Sequence, residues 1–152
     1  MKTVLLVDDE SRLLISIRMG LKSYSDRFSL LTAANGREAI DILSVRPVDL
    51  VVTDLRMPEV DGFALLAHIS GNYPFLPTIV MTAFSSPEIE ERVDGAGSLI
   101  LLEKPLDFGQ LAEAVLDGLA SSEKEGSITG FSLASSARSV PMMLLVPWAM
   151  LA

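Results

Sequence analysis

The residues of this 152-residue chain best suited to chemistry are carboxylates, a threonine and a lysine, each placed at the end of a short apolar run. Asp8-Asp9-Glu10 follows Thr3–Val7, Asp54 follows Leu50–Thr53, Thr82 follows Thr78–Met81, and Lys104-Pro105 stands just beyond Leu99–Leu102. Carboxylates gathered in one crevice repel each other, and protonation or a bound cation relieves the repulsion. An all-oxygen site without His or Cys suits Mg²⁺, or Mn²⁺, which keeps several waters and takes a few carboxylates plus a phosphoryl oxygen. Lys104 and Thr82 could hold phosphoryl oxygens as negative charge spreads over them, and an aspartate nucleophile facing metal and lysine would yield an aspartyl phosphate. Taken singly, each residue has an ordinary reading: Asp9 and Thr82 as helix caps, Asp54 as a turn carboxylate, Lys104 as a solvated charge. Their joint placement is what argues for a site.

The elements that must position them follow from periodicity. Short apolar runs alternate with helix-period segments as far as about residue 120, the pattern of βα units around a parallel sheet. Thr3–Val7, Leu50–Thr53, Thr78–Met81 and Leu99–Leu102 are nearly continuous in apolar residues and read as central strands covered on both faces. Phe28–Thr32 is more mixed and reads as an edge strand. Asn35 with Glu38, and Asp107 with Gln110, have capping-box spacing ahead of apolar series. Leu14, Ile17 and Leu21 give the first helix its core stripe, Asp61-Gly62 opens the third helix, and Ser85-Ser86-Pro87-Glu88 opens an acidic fourth. Five parallel strands with short crossovers predict a doubly wound sheet of order 2-1-3-4-5, a flavodoxin-like fold. Ligands then bind beyond the carboxyl ends of the strands at the switch point, which the first and third strands flank, so Asp8, Asp9 and Asp54 should converge there. Thr82 and Lys104 should lie on the far side of Asp54.

Composition narrows the function. A net charge of -8 argues against nucleic acid as the main partner, since such binding draws on clustered Lys and Arg. The absence of Cys excludes a disulfide scaffold and a thiolate site, and fits a cytoplasmic protein. The N-terminus carries no apolar stretch long enough for a signal peptide, and no segment reads as a membrane span. Glu123, Lys124, Glu125 and Arg138 cancel, so the whole acidic balance belongs to residues 1–120. That stretch reads as one domain. Residues 121–127 look like a linker, and residues 121–152 as a whole like an atypical apolar tail carrying Met142, Met143, Leu144, Leu145 and Trp148. We expect a truncated second domain there or a partner-docking tail. His68, the only histidine, sits inside the third helix and reads as structural.

Val7-Asp8-Asp9-Glu10, Asp54-Leu55-Arg56-Met57-Pro58 with Asp61-Gly62, Thr82-Ala83 and Lys104-Pro105, in this order, resemble the receiver domain of bacterial two-component response regulators, of the CheY-like type. The resemblance covers residues 1 to about 120. It implies that Asp54 accepts phosphate from a sensor histidine kinase or phosphotransfer protein. It implies too that Asp8 and Asp9 hold Mg²⁺ directly or through water, with the Arg56 backbone carbonyl and Asp54 as further ligands. Thr82 and Lys104 would bind the phosphoryl oxygens and report phosphorylation to a downstream protein partner. A homodimer through the fourth helix, fifth strand and fifth helix is a further implication. One departure stands out: where receivers usually carry Tyr or Phe three residues before the lysine, this chain has Leu101. Two rival readings are a Mg²⁺-dependent phosphohydrolase with an Asp nucleophile and a pseudo-receiver that binds partners without phosphorylation. The first lacks its strand-one Asp-x-Asp, and the complete acidic set opposes the second.

Overall fold

The computed structural model describes residues 1–95 and 100–127. Strands β1 (Lys2–Val7), β2 (Phe28–Ala33), β3 (Leu50–Asp54), β4 (Thr78–Thr82) and β5 (Ile100–Glu103) alternate with helices α1 (Ser11–Gly20), α2 (Gly36–Val45), α3 (Gly62–Asn72), α4 (Pro87–Gly95) and α5 (Phe108–Ser127). A single 3₁₀ turn at Lys22–Tyr24 precedes β2. All neighbouring strands pair in parallel, in the order β2-β1-β3-β4-β5. The order expected from crossover rules is the one observed.

Strands β3 and β4 are buried throughout, which accounts for their unbroken apolar runs. The sheet splits the core into two layers. On one face Val4, Leu6, Leu50, Val52, Ile79 and Met81 pack against Ile17 of α1 and Leu111 and Val115 of α5. On the other, Leu5, Val7 and Val51 meet Ala39 and Leu43 of α2 and Leu65 and Ile69 of α3. This alternation of faces along each strand is the period-two pattern of a sheet covered on both sides.

Helix starts follow the sequence signals. Asn35 Oδ1 accepts from the Glu38 N–H at 2.8 Å, while Glu38 Oε1 reaches back to the Ala34 N–H at 3.0 Å, one residue before the cap itself. Asp61 Oδ1 accepts from the Ala64 N–H at 2.9 Å and Asp107 Oδ1 from the Gln110 N–H at 3.0 Å.

One sequence reading needs correction. The run Leu99–Leu102 reads as a central strand by composition, yet β5 lies at an edge, as the 2-1-3-4-5 order requires: Leu102 is buried, but Ile100 and Glu103 are exposed. Residues 121–127 have the composition of a linker and continue α5, which is helical through Ser127, since extending an existing helix costs far less than starting one. Leu99 and the remaining tail residues, 128–152, lie outside the described residues. Among the described residues no helix is long and apolar enough to cross a membrane.

Candidate functional site

Parallel register brings the strand ends level. Val7 pairs with Thr53, Asp54 with Met81, and Thr82 with Glu103, so the next residues project from one end of the sheet. Backbone hydrogen bonds continue beyond the strands: the Asp8 N–H donates to Ala33 O at 3.1 Å and the Lys104 N–H to Thr82 O at 2.8 Å. The crevice therefore forms where β1 and β3 part, at the switch point.

Asp8 is fully buried and Asp54 is 7% exposed, whereas Asp9 is open to solvent. One carboxylate oxygen from each of these three lies within 4.8 Å of the others. Each buried carboxylate is fixed from two sides. Asp8 Oδ1 accepts from the Glu10 N–H at 2.8 Å, and Asp54 Oδ1 from the Leu55 N–H at 2.9 Å. Their other oxygens share one ammonium: Lys104 Nζ stands 3.0 Å from Asp8 Oδ2 and 3.3 Å from Asp54 Oδ2. Lys104 thus bridges the two acids instead of lying only beyond Asp54.

Burial raises the Asp54 carboxyl above the ordinary aspartate value, and the charge of Asp8 adds to the rise. Lys104 and the Leu55 N–H pull the other way without cancelling it. For Lys104 burial works against its charge, but the hydrogen bond to Asp8 and the charges of Asp54 and Asp8 outweigh it and raise its pKa. The ammonium of Lys104 thus holds Asp8 and Asp54 together, although burial disfavours the ionised form of Asp54.

Thr82 is 3% exposed, and its hydroxyl faces its own loop. Thr82 Oγ1 donates to Phe84 O at 3.1 Å and accepts from the Phe84 N–H at 3.2 Å, while the Phe84 ring is 64% exposed. Arg56 sits exposed between Leu55 and Met57, both buried, so the loop after β3 is pinned on either side of it. It lines a groove with Asp9, Pro58, Phe63 and Arg92 beside the acidic cluster. Leu101 is half-buried and packs with Leu55, Leu66, Val80 and Val93, without a ring to turn. His68 is half-buried, its ring tilted against Tyr73 at 6.1 Å and close to Asn72, away from the acidic cluster.

Sequence reasoning overlooked what Gly62 does. A Cβ there would lie 2.3 Å from Asp54 O and 2.5 Å from Leu55 Cα, so only glycine lets α3 begin against the backbone at the end of β3. The Gly62 N–H donates to Leu55 O at 2.9 Å across that approach. The Asp61-Gly62 pair was the available signal; it marks the helix start but not the close contact. Glu59 takes up the turn in the loop before it with a φ of 62°.

An open α/β sheet with three acids, a buried threonine and a bridging lysine at its switch point defines a class of acidic strand-end sites suited to metal and phosphoryl groups. Comparison makes the class specific. The family model for the response regulator receiver domain matches residues 4–116. The transcriptional regulatory protein GlrR of Escherichia coli K12 is 39% identical over 119 residues, which cover 78% of this chain and 26% of that protein. The response regulator protein PilR of Pseudomonas aeruginosa is 35% identical over 117 residues, covering 76% of this chain and 25% of its own length. Among solved structures, a CheY-like receiver domain protein from Methanospirillum hungatei JF-1 superposes with a TM-score of 0.76 at 26% identity, over 82% of this chain and 98% of that one. The receiver domain of a putative LuxO repressor protein from Vibrio parahaemolyticus gives 0.78 at 26% identity, over 86% and 98%. This chain belongs to the response regulator receiver domain family, the signal-receiving module of two-component systems. It spans about a quarter of the length of the curated relatives it matches.

Proposed function

We propose that the domain is a phosphorylation-activated switch that accepts a phosphoryl group on Asp54 from a histidine kinase or phosphotransfer protein. The observation that carries this reading is the shared geometry of Asp8, Asp9 and Asp54, whose oxygens lie within 4.8 Å, with Lys104 Nζ against two of them. Asp8, Asp9, Asp54 and the Arg56 backbone carbonyl are the proposed ligands of Mg²⁺, for which Mn²⁺ could substitute; an all-oxygen donor set fits both. Bound there, the ion would offset the carboxylate charge and polarise a phosphoryl oxygen.

Asp54 is held for attack: its Oδ1 is tied to the Leu55 N–H, which fixes the plane of the carboxylate. A carboxylate oxygen of Asp54 forms a bond to phosphorus, the P–N bond of the phosphohistidine breaks, and the imidazole leaves as its nitrogen takes up a proton. Lys104 then follows the negative charge onto the phosphoryl oxygens. Thr82 reaches the same oxygens by giving up its hydrogen bond to Phe84 O, which links modification to the loop leading into α4. The chemistry is confined to the domain itself, so no multiple turnover of small phosphate esters is expected.

The proposed unit is residues 1–120, followed by a tail that serves a partner or is the start of a second domain. The acidic charge of those residues supports proteins, not nucleic acid, as direct partners. The groove formed by Glu90, Asp94, Leu101, Leu102, Glu103 and Gln110 is assigned to a downstream protein or to a second copy of the domain. A cytoplasmic location is part of the same proposal. The test is phosphoryl labelling by acetyl phosphate with Mg²⁺ and with EDTA. Labelling that depends on metal is expected, and an equal rate in EDTA would overturn the metal assignment.

A further inference from the structure

Helix α4 is lightly held. Of its nine residues only Val93 is buried, with Ile89 half-buried beside it. It carries Glu88, Glu90, Glu91 and Asp94 against a single cation, Arg92. Its polar contacts at the N-terminal end are local: Ser86 Oγ accepts from the Ile89 N–H at 3.2 Å, and Ser85 Oγ donates to Glu90 Oε2 at 3.0 Å. Neither ties the helix to another element.

One contact does. The Arg92 guanidinium carbon lies 3.7 Å from the centroid of the Phe63 ring, well inside the range of a cation–π interaction. Phe63 stands in the first turn of α3, next to the Gly62 that abuts the Asp54 backbone, and it packs on the same apolar seam as Leu55, Val93 and Leu101. Both partners line the groove that also contains Asp9 and Arg56. We propose that the Phe63–Arg92 contact is a latch that holds α4 against α3 and sets how often the groove beside Asp9 opens. Strand β5 carries no aromatic residue, so the ring against α4 comes from α3. The inference concerns the metal-free, unphosphorylated chain and does not depend on Asp54 being an acceptor.

Amide hydrogen exchange resolves the latch helix by helix. An exposed cation–π contact corresponds to about a two- to fivefold change in an opening equilibrium. Arg92→Gln and Phe63→Leu should each speed exchange at residues 88–95 by about that factor, with α1, α2 and α5 unchanged. Phe63→Tyr, which keeps the ring, should leave α4 at the original rate, and the double variant should be no faster than the single ones, because both remove the same contact. Unchanged exchange in α4, equal acceleration in every helix, full additivity in the double variant, or Phe63→Tyr behaving like Phe63→Leu would each overturn the proposal.

Discussion

Replacing Lys104 by methionine keeps the length of the side chain but removes the ammonium 3.0 Å from Asp8 Oδ2 and 3.3 Å from Asp54 Oδ2. At an effective dielectric constant near 20, each contact is a gross attraction of about 5 kcal/mol. Taking the ions out of water cancels much of that, and removing one partner of a buried pair costs about 3–5 kcal/mol. Because the Lys104 side chain keeps 17% exposure, the lower end applies, about 3 kcal/mol. A domain of ordinary stability survives such a loss, with a melting temperature lower by on the order of 10 °C. The deficit has a definite pH dependence. Without the ammonium, the Asp54 pKa rises further above its ordinary 3.8, and an acid whose folded pKa is raised costs stability only above its unfolded value. The variant should therefore approach the parent as pH falls toward 3.8 and fall behind as pH rises through the raised value. Saturating Mg²⁺ should close part of the gap at neutral pH by replacing the lost positive charge. Urea unfolding at pH 4 and pH 7, in EDTA and in Mg²⁺, measures all of this. A neutral-pH loss under about 1 kcal/mol, or a loss independent of pH, would refute the view that Lys104 holds two buried carboxylates together.

Gly62→Ala should cost about 1–3 kcal/mol in urea unfolding and slow labelling of Asp54, because its Cβ meets backbone atoms that cannot swing away. Phosphorylation should shift NMR signals mainly at Thr82 and in α4, since Leu101 has no ring plane or hydroxyl to separate two rotamers; shifts spread fully across β5 and α5 would contradict this. A chain ending at Ala120 keeps Leu111, Ala112, Val115 and Leu119 in the core, and its melting temperature and labelling by acetyl phosphate should match those of the full chain. A large loss of either would show that later residues support the domain.

Much of this arrangement was legible because it rests on local rules. Apolar runs buried on both faces announced β1, β3 and β4, and caps at Asn35, Asp61 and Asp107 marked three helix starts. Strand-end residues had to converge once the order was fixed, which placed Asp8, Asp54, Thr82 and Lys104 at one end of the sheet. What stayed hidden depends on contacts distant in sequence. Leu101 and Leu102 make β5 look central by composition, although the expected strand order puts it at the edge, where Ile100 and Glu103 are exposed. Ser121–Ser127 is polar enough to read as a linker, yet it continues a helix already nucleated by a buried stripe. The bridge from Lys104 to Asp8 spans 96 residues, and the contact of Gly62 with Asp54 O is a matter of tertiary closeness that a glycine codon alone does not announce.

Asp54 is the proposed phosphoryl acceptor. Intact mass after incubation with Mg²⁺ and acetyl phosphate or phosphoramidate tests it most directly. The parent chain should gain one phosphoryl group and Asp54→Asn none. A parent chain that gains no mass, or an Asp54→Asn variant that gains the same mass at the same rate, would contradict it.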